Sequence, residues 1–258
     1  MVQDDAGVRT VTLNRPDALN AVTEHMTAEL QTVLKKTARD RSVRCLVLTG
    51  AGRAFCAGQD VKSLQSQADA GARLDFAAAL RQRYNPVIQR LRTLEIPVIA
   101  SVNGVAAGAG WSLALACDLR IASDRAKFVA AFSKIGLIPD SGMTFLLPRL
   151  VGVSRALEIA WLSDSLSAEQ ALNLGLVNRC VPQDQLADET RALAARLAAS
   201  ATRGLGLTKR AMNAAFDHDL AGQLEYEAQL QGVAGGTRDH AEGVQAFLLK
   251  RPVKFTGE

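Results

Sequence analysis

Two loops and one acid hold the chemistry available to this chain. The loops are Phe55-Cys56-Ala57-Gly58-Gln59-Asp60 and Asn103-Gly104-Val105-Ala106-Ala107-Gly108-Ala109-Gly110, and both are almost bare of side chains. A backbone so uncovered lets another molecule approach its N–H groups closely. Where such a loop opens a helix, the first-turn N–H groups carry partial positive charge. The simplest use is a cradle for negative charge. The spacing matches neither G-x-G-x-x-G nor G-x-x-x-x-G-K-[ST], so a transient oxyanion fits better than a bound phosphate. The same small residues also suit a helix packed tightly on a neighbouring strand, and the stretch is compatible with both uses. The acid is Asp140, in Ile138-Pro139-Asp140-Ser141-Gly142. From its surroundings alone it reads as the cap of the helix that follows.

The elements that must position these groups follow from periodicity. Val8–Leu13 alternates as a half-buried strand, and Asn14-Arg15-Pro16-Asp17 turns the chain. Met26, Leu30, Val33 and Leu34 recur at helical spacing from Thr23 to about Asp40, and Val43–Leu48 reads as the next strand. The first small-residue loop leaves that strand. A helical segment is expected from about Gln65 to Leu94, its polar early part, Gln65 to Leu74, fitting either a lid or a solvated helix. Pro97–Val102 reads as a buried strand feeding the second loop and an apolar helix. Leu119–Ala122 and Lys127–Val129 read as short strands, and Met143–Leu147 as a helix. Beyond Ser154 helices dominate, apart from a strand expected over Leu176–Val181. Two bare loops at strand ends suggest that both edge one site.

Composition narrows the function classes. A chain of 258 residues, 48% hydrophobic and 22% charged, has the balance of a globular protein with a large core. No apolar run approaches a membrane span and the polar start lacks a signal-peptide core, so the expected compartment is the cytoplasm. Cys45, Cys56, Cys117 and Cys180 are scattered without metal or disulfide spacing, and no metal site is expected. A net charge of +4 without a basic stripe argues against nucleic acid. His25, His218 and His240 have no partner at metal or triad spacing and read as surface residues. Asp124 reads as a turn former.

Taken in order, Asn14-Arg15-Pro16 with Ala18-Leu19-Asn20, Phe55 to Asp60, Asn103 to Gly110 and Gly136-Leu137-Ile138-Pro139 resemble the crotonase (enoyl-CoA hydratase/isomerase) superfamily. The resemblance spans essentially the whole chain, including Glu242 to Arg251. It implies an α/β fold: a spiral of repeated ββα turns over 1–199, carrying the acyl-CoA site, and a C-terminal helical trimerisation region over 200–258. It implies homotrimers or dimers of trimers, and an acyl-CoA thioester as substrate, with no cofactor beyond that coenzyme A. By motif, the thioester oxygen sits between the N–H groups of Ala57 and Ala109. Two preorganised donors and a helix N-terminus would hold an enolate without reorganisation.

The resemblance also assigns side chains. Family hydratases position water with two glutamates, and here those positions hold Ser112 and Phe132, which disfavours hydration. The remaining carboxylate, Asp140, faces the acyl pocket in several branches, so it becomes the expected proton carrier, its pKa raised among Phe132, Ile135, Leu137 and Ile138. Ala18, Gly58, Gln59, Asp60, Gly108, Gly110, Phe132 and Leu137 are expected to line the substrate and CoA site, with Phe247 and Lys250 reaching a neighbouring subunit's CoA. Asp118 falls in a structural motif. Residues 126–129, 131–142 and 146–149, with Gly204 to Lys209, most resemble the branch that converts ring-1,2-epoxyphenylacetyl-CoA to oxepin-CoA, Met143 departing from its pattern. The expected activity is that isomerisation, a shift of 3-enoyl-CoA to 2-enoyl-CoA, or both. Alternatives are a hydratase-like or a hydrolytic, dehalogenase-type enzyme with Asp140 as nucleophile, and a non-catalytic acyl-CoA-binding relative.

Overall fold

Alternation in the sequence becomes alternation in space: strand β2 (Val8–Leu13) is half-buried and buried by turns. A computed structural model describes residues 1–61 and 75–258. β1 (Val2–Asp5) pairs antiparallel with β2, which lies parallel to β3 (Cys45–Gly50). Between β2 and β3 runs α1 (Glu24–Thr37), begun by Thr23, whose hydroxyl accepts from the Met26 N–H. β3 leads to the three-residue β4 (Ala54–Cys56). After the undescribed residues come α2 (Phe76–Ala79), a π-helical turn (Leu80–Tyr84) and α3 (Asn85–Thr93).

The next turns repeat one plan. β5 (Val98–Val102) passes to β6 (Val105–Ala107) and α4 (Ala109–Ala116); β7 (Leu119–Ser123) passes to β8 (Lys127–Val129) and, past a short 3-10 turn, α5 (Met143–Val151). The first strand of each turn joins a six-stranded sheet ordered β1-β2-β3-β5-β7 and then β10 (Arg179–Val181). The second strand joins a four-stranded sheet ordered β4-β6-β8 and then β9 (Leu166–Ser167). This is the spiral of ββα turns. Every residue of α4 is buried, as expected of a helix apolar on all sides but for Ser112. Trp111 and Phe128 pack inside, ring centroids 5.7 Å apart.

The remaining helices are α6 (Val153–Leu162), α7 (Ala168–Asn173), α8 (Leu186–Ala198), α9 (Thr202–Ala214), α10 (Leu220–Gly235) and α11 (Arg238–Leu248). Two ties fix them to the sheet. Arg44 donates to Ser200 O at 2.7 Å, Thr202 Oγ1 at 2.9 Å and Phe255 O at 3.0 Å. Lys209 of α9 meets Asp118 at 2.8 Å beneath the surface. Burial pushes both groups toward their neutral forms, and their mutual attraction opposes it.

Several expectations shift. β4 and β6 lie inside stretches that read as loops, and β1 and β9 were not anticipated. The strand expected over Leu176–Val181 is confined to Arg179–Val181. The polar stretch Gln65 to Leu74 lies outside the described residues. Among the described residues no helix is long and apolar enough to cross a membrane.

Candidate functional site

The two bare loops touch. A Cβ on Gly58, whose φ is +90°, would lie 2.8 Å from Ala107 O and 3.5 Å from Ala109 N. One on Gly110 would overlap the Cys56 carbonyl, so α4 can seat against β4 because that position is glycine. The reading of the small residues as close packing therefore holds, and that packing brings the N-terminus of α4 to the first loop.

The direction of each amide decides which can meet a ligand. Ala57 donates to Leu19 O at 2.9 Å, so the expected role of Ala57 as a donor is corrected: its N–H is already spent inside the fold. Gly58 donates to the Cys56 sulfur, and Asp60 to Val22 O at 3.0 Å. Gln59 forms a parallel bridge with Val22 whose bonds run through its neighbours, leaving its own N–H pointing the other way. Among the described residues neither the Gln59 N–H nor the Ala109 N–H has an acceptor.

The first loop is held from behind. Asn20 is fully buried, its side-chain amide donating to Ala51 O at 2.9 Å and Ala54 O at 2.8 Å while its Oδ1 accepts from the Arg15 N–H. Leu19 and Asn20 adopt positive φ, as do Ala131 and Ser141 on the opposite side. Strained backbone of this kind persists where surrounding bonds over-determine it, and it clusters at functional sites.

Asp140 is tied to the same helix. Ser112, buried on α4, donates its hydroxyl to the Asp140 carbonyl at 2.9 Å, one helical turn from Ala109. The Asp140 side chain is not the cap of α5, because Gly142 holds that position at φ +83°. Its carboxyl is half-buried and accepts from the Ser141 hydroxyl at 2.9 Å. Burial raises its pKa above the ordinary carboxylate range, and the Ser141 hydrogen bond opposes the rise. The direction matches the expectation but the expected source does not: Ile135, Leu137 and Ile138 are 62%, 36% and 78% exposed. Phe132 is buried, its ring tip 3.9 Å from where a Gly108 Cβ would stand.

Ala18 closes a 3-10 turn beside Leu19 and is half-buried, as is Gln59. Gly108, Ala109 and Gly110 form the buried entry to α4. The Asp60 carboxylate is engaged by Arg15 at 2.9 Å, a bond that braces the first loop. Phe247 and Lys250 are exposed in the C-terminal region, where Phe247 lines a groove with Ala201, Gly204 and Val244. Sequence reasoning missed the Gln59 amide, which leaves no side-chain signature. It also missed the Ser112 tether, although a hydroxyl amid apolar helix residues is a visible anomaly.

Comparison with known proteins gives consistent findings. The family model described as enoyl-CoA hydratase/isomerase matches residues 3–258. The chain is 49% identical over 254 residues to the 1,2-epoxyphenylacetyl-CoA isomerase of Escherichia coli (strain K12), covering 98% of this chain and 97% of that one. It is 36% identical over 244 residues to the crotonyl-CoA hydratase of Syntrophomonas wolfei, covering 94% and 92%. The enoyl-CoA hydratase structure from Bacillus anthracis superposes with a TM-score of 0.93 at 33% identity, covering 100% of this chain and 99% of that one.

Proposed function

The chain belongs to the enoyl-CoA hydratase/isomerase family, and from that premise we propose that it is an acyl-CoA isomerase working by proton transfer at Asp140. One observation carries the reading. The acid is fastened through its own carbonyl to the first turn of the helix that offers the Ala109 N–H.

The thioester oxygen accepts from the Gln59 and Ala109 N–H groups, so polarisation acidifies the neighbouring carbon. Asp140 takes a proton from that carbon, and the electron pair moves onto the oxygen as an enolate. Peptide dipoles and the N-terminus of α4 stabilise this charge; one such donor contributes about 3 kcal/mol. Asp140 then returns the proton elsewhere on the conjugated system. For a 3-enoyl-CoA it goes to the far carbon and the double bond moves to position 2. For the ring-epoxide of phenylacetyl-CoA it goes to a ring carbon, while the ring bond shared with the epoxide opens to the oxepin. Each product is an isomer of its substrate, so no oxidant, metal or cofactor enters the balance. Ser112 and Phe132 offer no carboxylate to position water, which favours isomerisation over hydration.

Asp140→Asn tests the reading. It is expected to abolish isomerisation of both substrates while leaving CoA-ester binding, measured by calorimetry, near the parent value. Near-normal turnover would sink the assignment.

The same reading includes a homotrimer or paired trimers in the cytoplasm, Phe247 and Lys250 meeting a neighbouring subunit's CoA. The support is exposed apolar surface on the later helices: Phe247 is 84% exposed, Leu220 75% and Trp161 69%. Light scattering on a size-exclusion column reads the mass, and a monomer would remove this part.

A further inference from the structure

Tyr84 ends the π-helical turn, and it is 7% exposed in the main core. Single π turns are rare and occur often at functional sites. This one is braced by Gln31 of α1, whose amide donates to Gln82 O at 2.9 Å and Arg83 O at 3.0 Å. Arg83 itself is drawn outward to Glu24 at 2.9 Å. One turn along the same helix face, Ile88 Cγ2 lies 3.2 Å from where a Gly142 Cβ would stand, so this face packs on the segment carrying Asp140.

The hydroxyl of Tyr84 makes no hydrogen bond among the described residues. Among those residues Trp111 Nε1 is the fully enclosed side-chain polar atom that lacks a partner, so the Tyr84 oxygen is not fully enclosed. Burial, then the nearby charge of Asp140 and then Cys56 push its ionisation upward, which keeps the phenol protonated. The phenol therefore lies within the electrostatic reach of Asp140 and of Cys56 on β4, with a proton to donate.

We propose that Tyr84 is a specificity-determining residue, donating its hydroxyl to an oxygen carried by the acyl group and so selecting oxygen-bearing acyl-CoA esters over hydrocarbon ones. This rests on the isomerase reading for the orientation of the acyl group beside Asp140. A hydrocarbon acyl group covering the hydroxyl would strip its water and offer nothing in return. An epoxide, ether or carbonyl oxygen restores the bond.

The test uses two esters of nearly equal shape, 2-methoxyphenylacetyl-CoA and 2-ethylphenylacetyl-CoA, whose dissociation constants are measured with the parent, Tyr84→Phe and Asp140→Asn. The parent is expected to favour the methoxy ester by about tenfold, the worth of one hydrogen bond that a buried donor would otherwise lack. Tyr84→Phe is expected to lose the preference while binding the ethyl ester at least as well. Asp140→Asn is expected to keep it, so failure of the isomerase reading and failure of this proposal give different results. A parent without preference, or a Tyr84→Phe variant that retains it, overturns the proposal.

Discussion

Gly58→Ala separates the pairing of the two amides from the stability of the fold. Gly58 sits at φ +90°, and its added methyl would press 2.8 Å from Ala107 O, with Ala109 N at 3.5 Å. The left-handed backbone costs about 1–2 kcal/mol for an L residue. The methyl contact adds a second cost, relieved by moving the first loop away from α4. That movement carries the Gln59 N–H out of register with the Ala109 N–H. Losing one preorganised donor costs about 3 kcal/mol in the transition state, so kcat should fall by about a hundredfold. The assay is steady-state isomerisation followed by ultraviolet absorbance, with the melting temperature recorded in parallel. Gly175→Ala supplies the control: φ is +71° there, yet a Cβ would meet nothing within 4 Å. It should lose comparable backbone stability and keep its kcat. A Gly58→Ala enzyme with the parent's kcat would refute the pairing of the loops.

Four further outcomes are expected. Asp140 must be ionised to take a proton and burial raises its pKa, so kcat/KM should climb with pH through a value above the ordinary carboxylate range. A raised folded pKa penalises folding as pH rises through it, and the penalty vanishes below the unfolded value; Asp140→Asn should therefore melt higher than the parent at neutral pH and equally in acid. Ser112→Ala removes the 2.9 Å bond to the Asp140 carbonyl, and a net loss of about 1 kcal/mol predicts a fivefold lower kcat with little change in KM; an unchanged rate would deny the tether a catalytic role. Lys209→Met leaves the Asp118 carboxyl buried without its ammonium partner, and urea unfolding should report a loss of about 3–5 kcal/mol.

What the sequence made legible was set by the length and chemistry of each signal. β2 is six residues long and alternates cleanly, and α1 carries both a threonine cap and periodic leucines, so both could be read. β4 and β6 are three residues each, too short for a period, and they lay hidden in loop-like composition. The candidate site could be proposed wherever side chains announced it, as at Asp140 and the glycines. Which of Ala57 and Gln59 offers its amide depends on the direction each N–H points, a property set by the bridge to Val22 and by Leu19 O. Tyr84 gained its meaning from a π turn and from the packing of Ile88, one turn along, on Gly142, neither of which a single chain of letters displays.

In the proposed mechanism the charge-receiving groups are peptide N–H groups, which has a consequence for how this scaffold diversifies. No codon encodes that part of the catalyst directly, so mutation can sample new acids and new linings at positions such as Ser112, Phe132 and Asp140 without dismantling it. Saturating Ser112 and Phe132 with Asp140 kept should yield descendants with altered reactions, because the costliest component is inherited with the polypeptide itself.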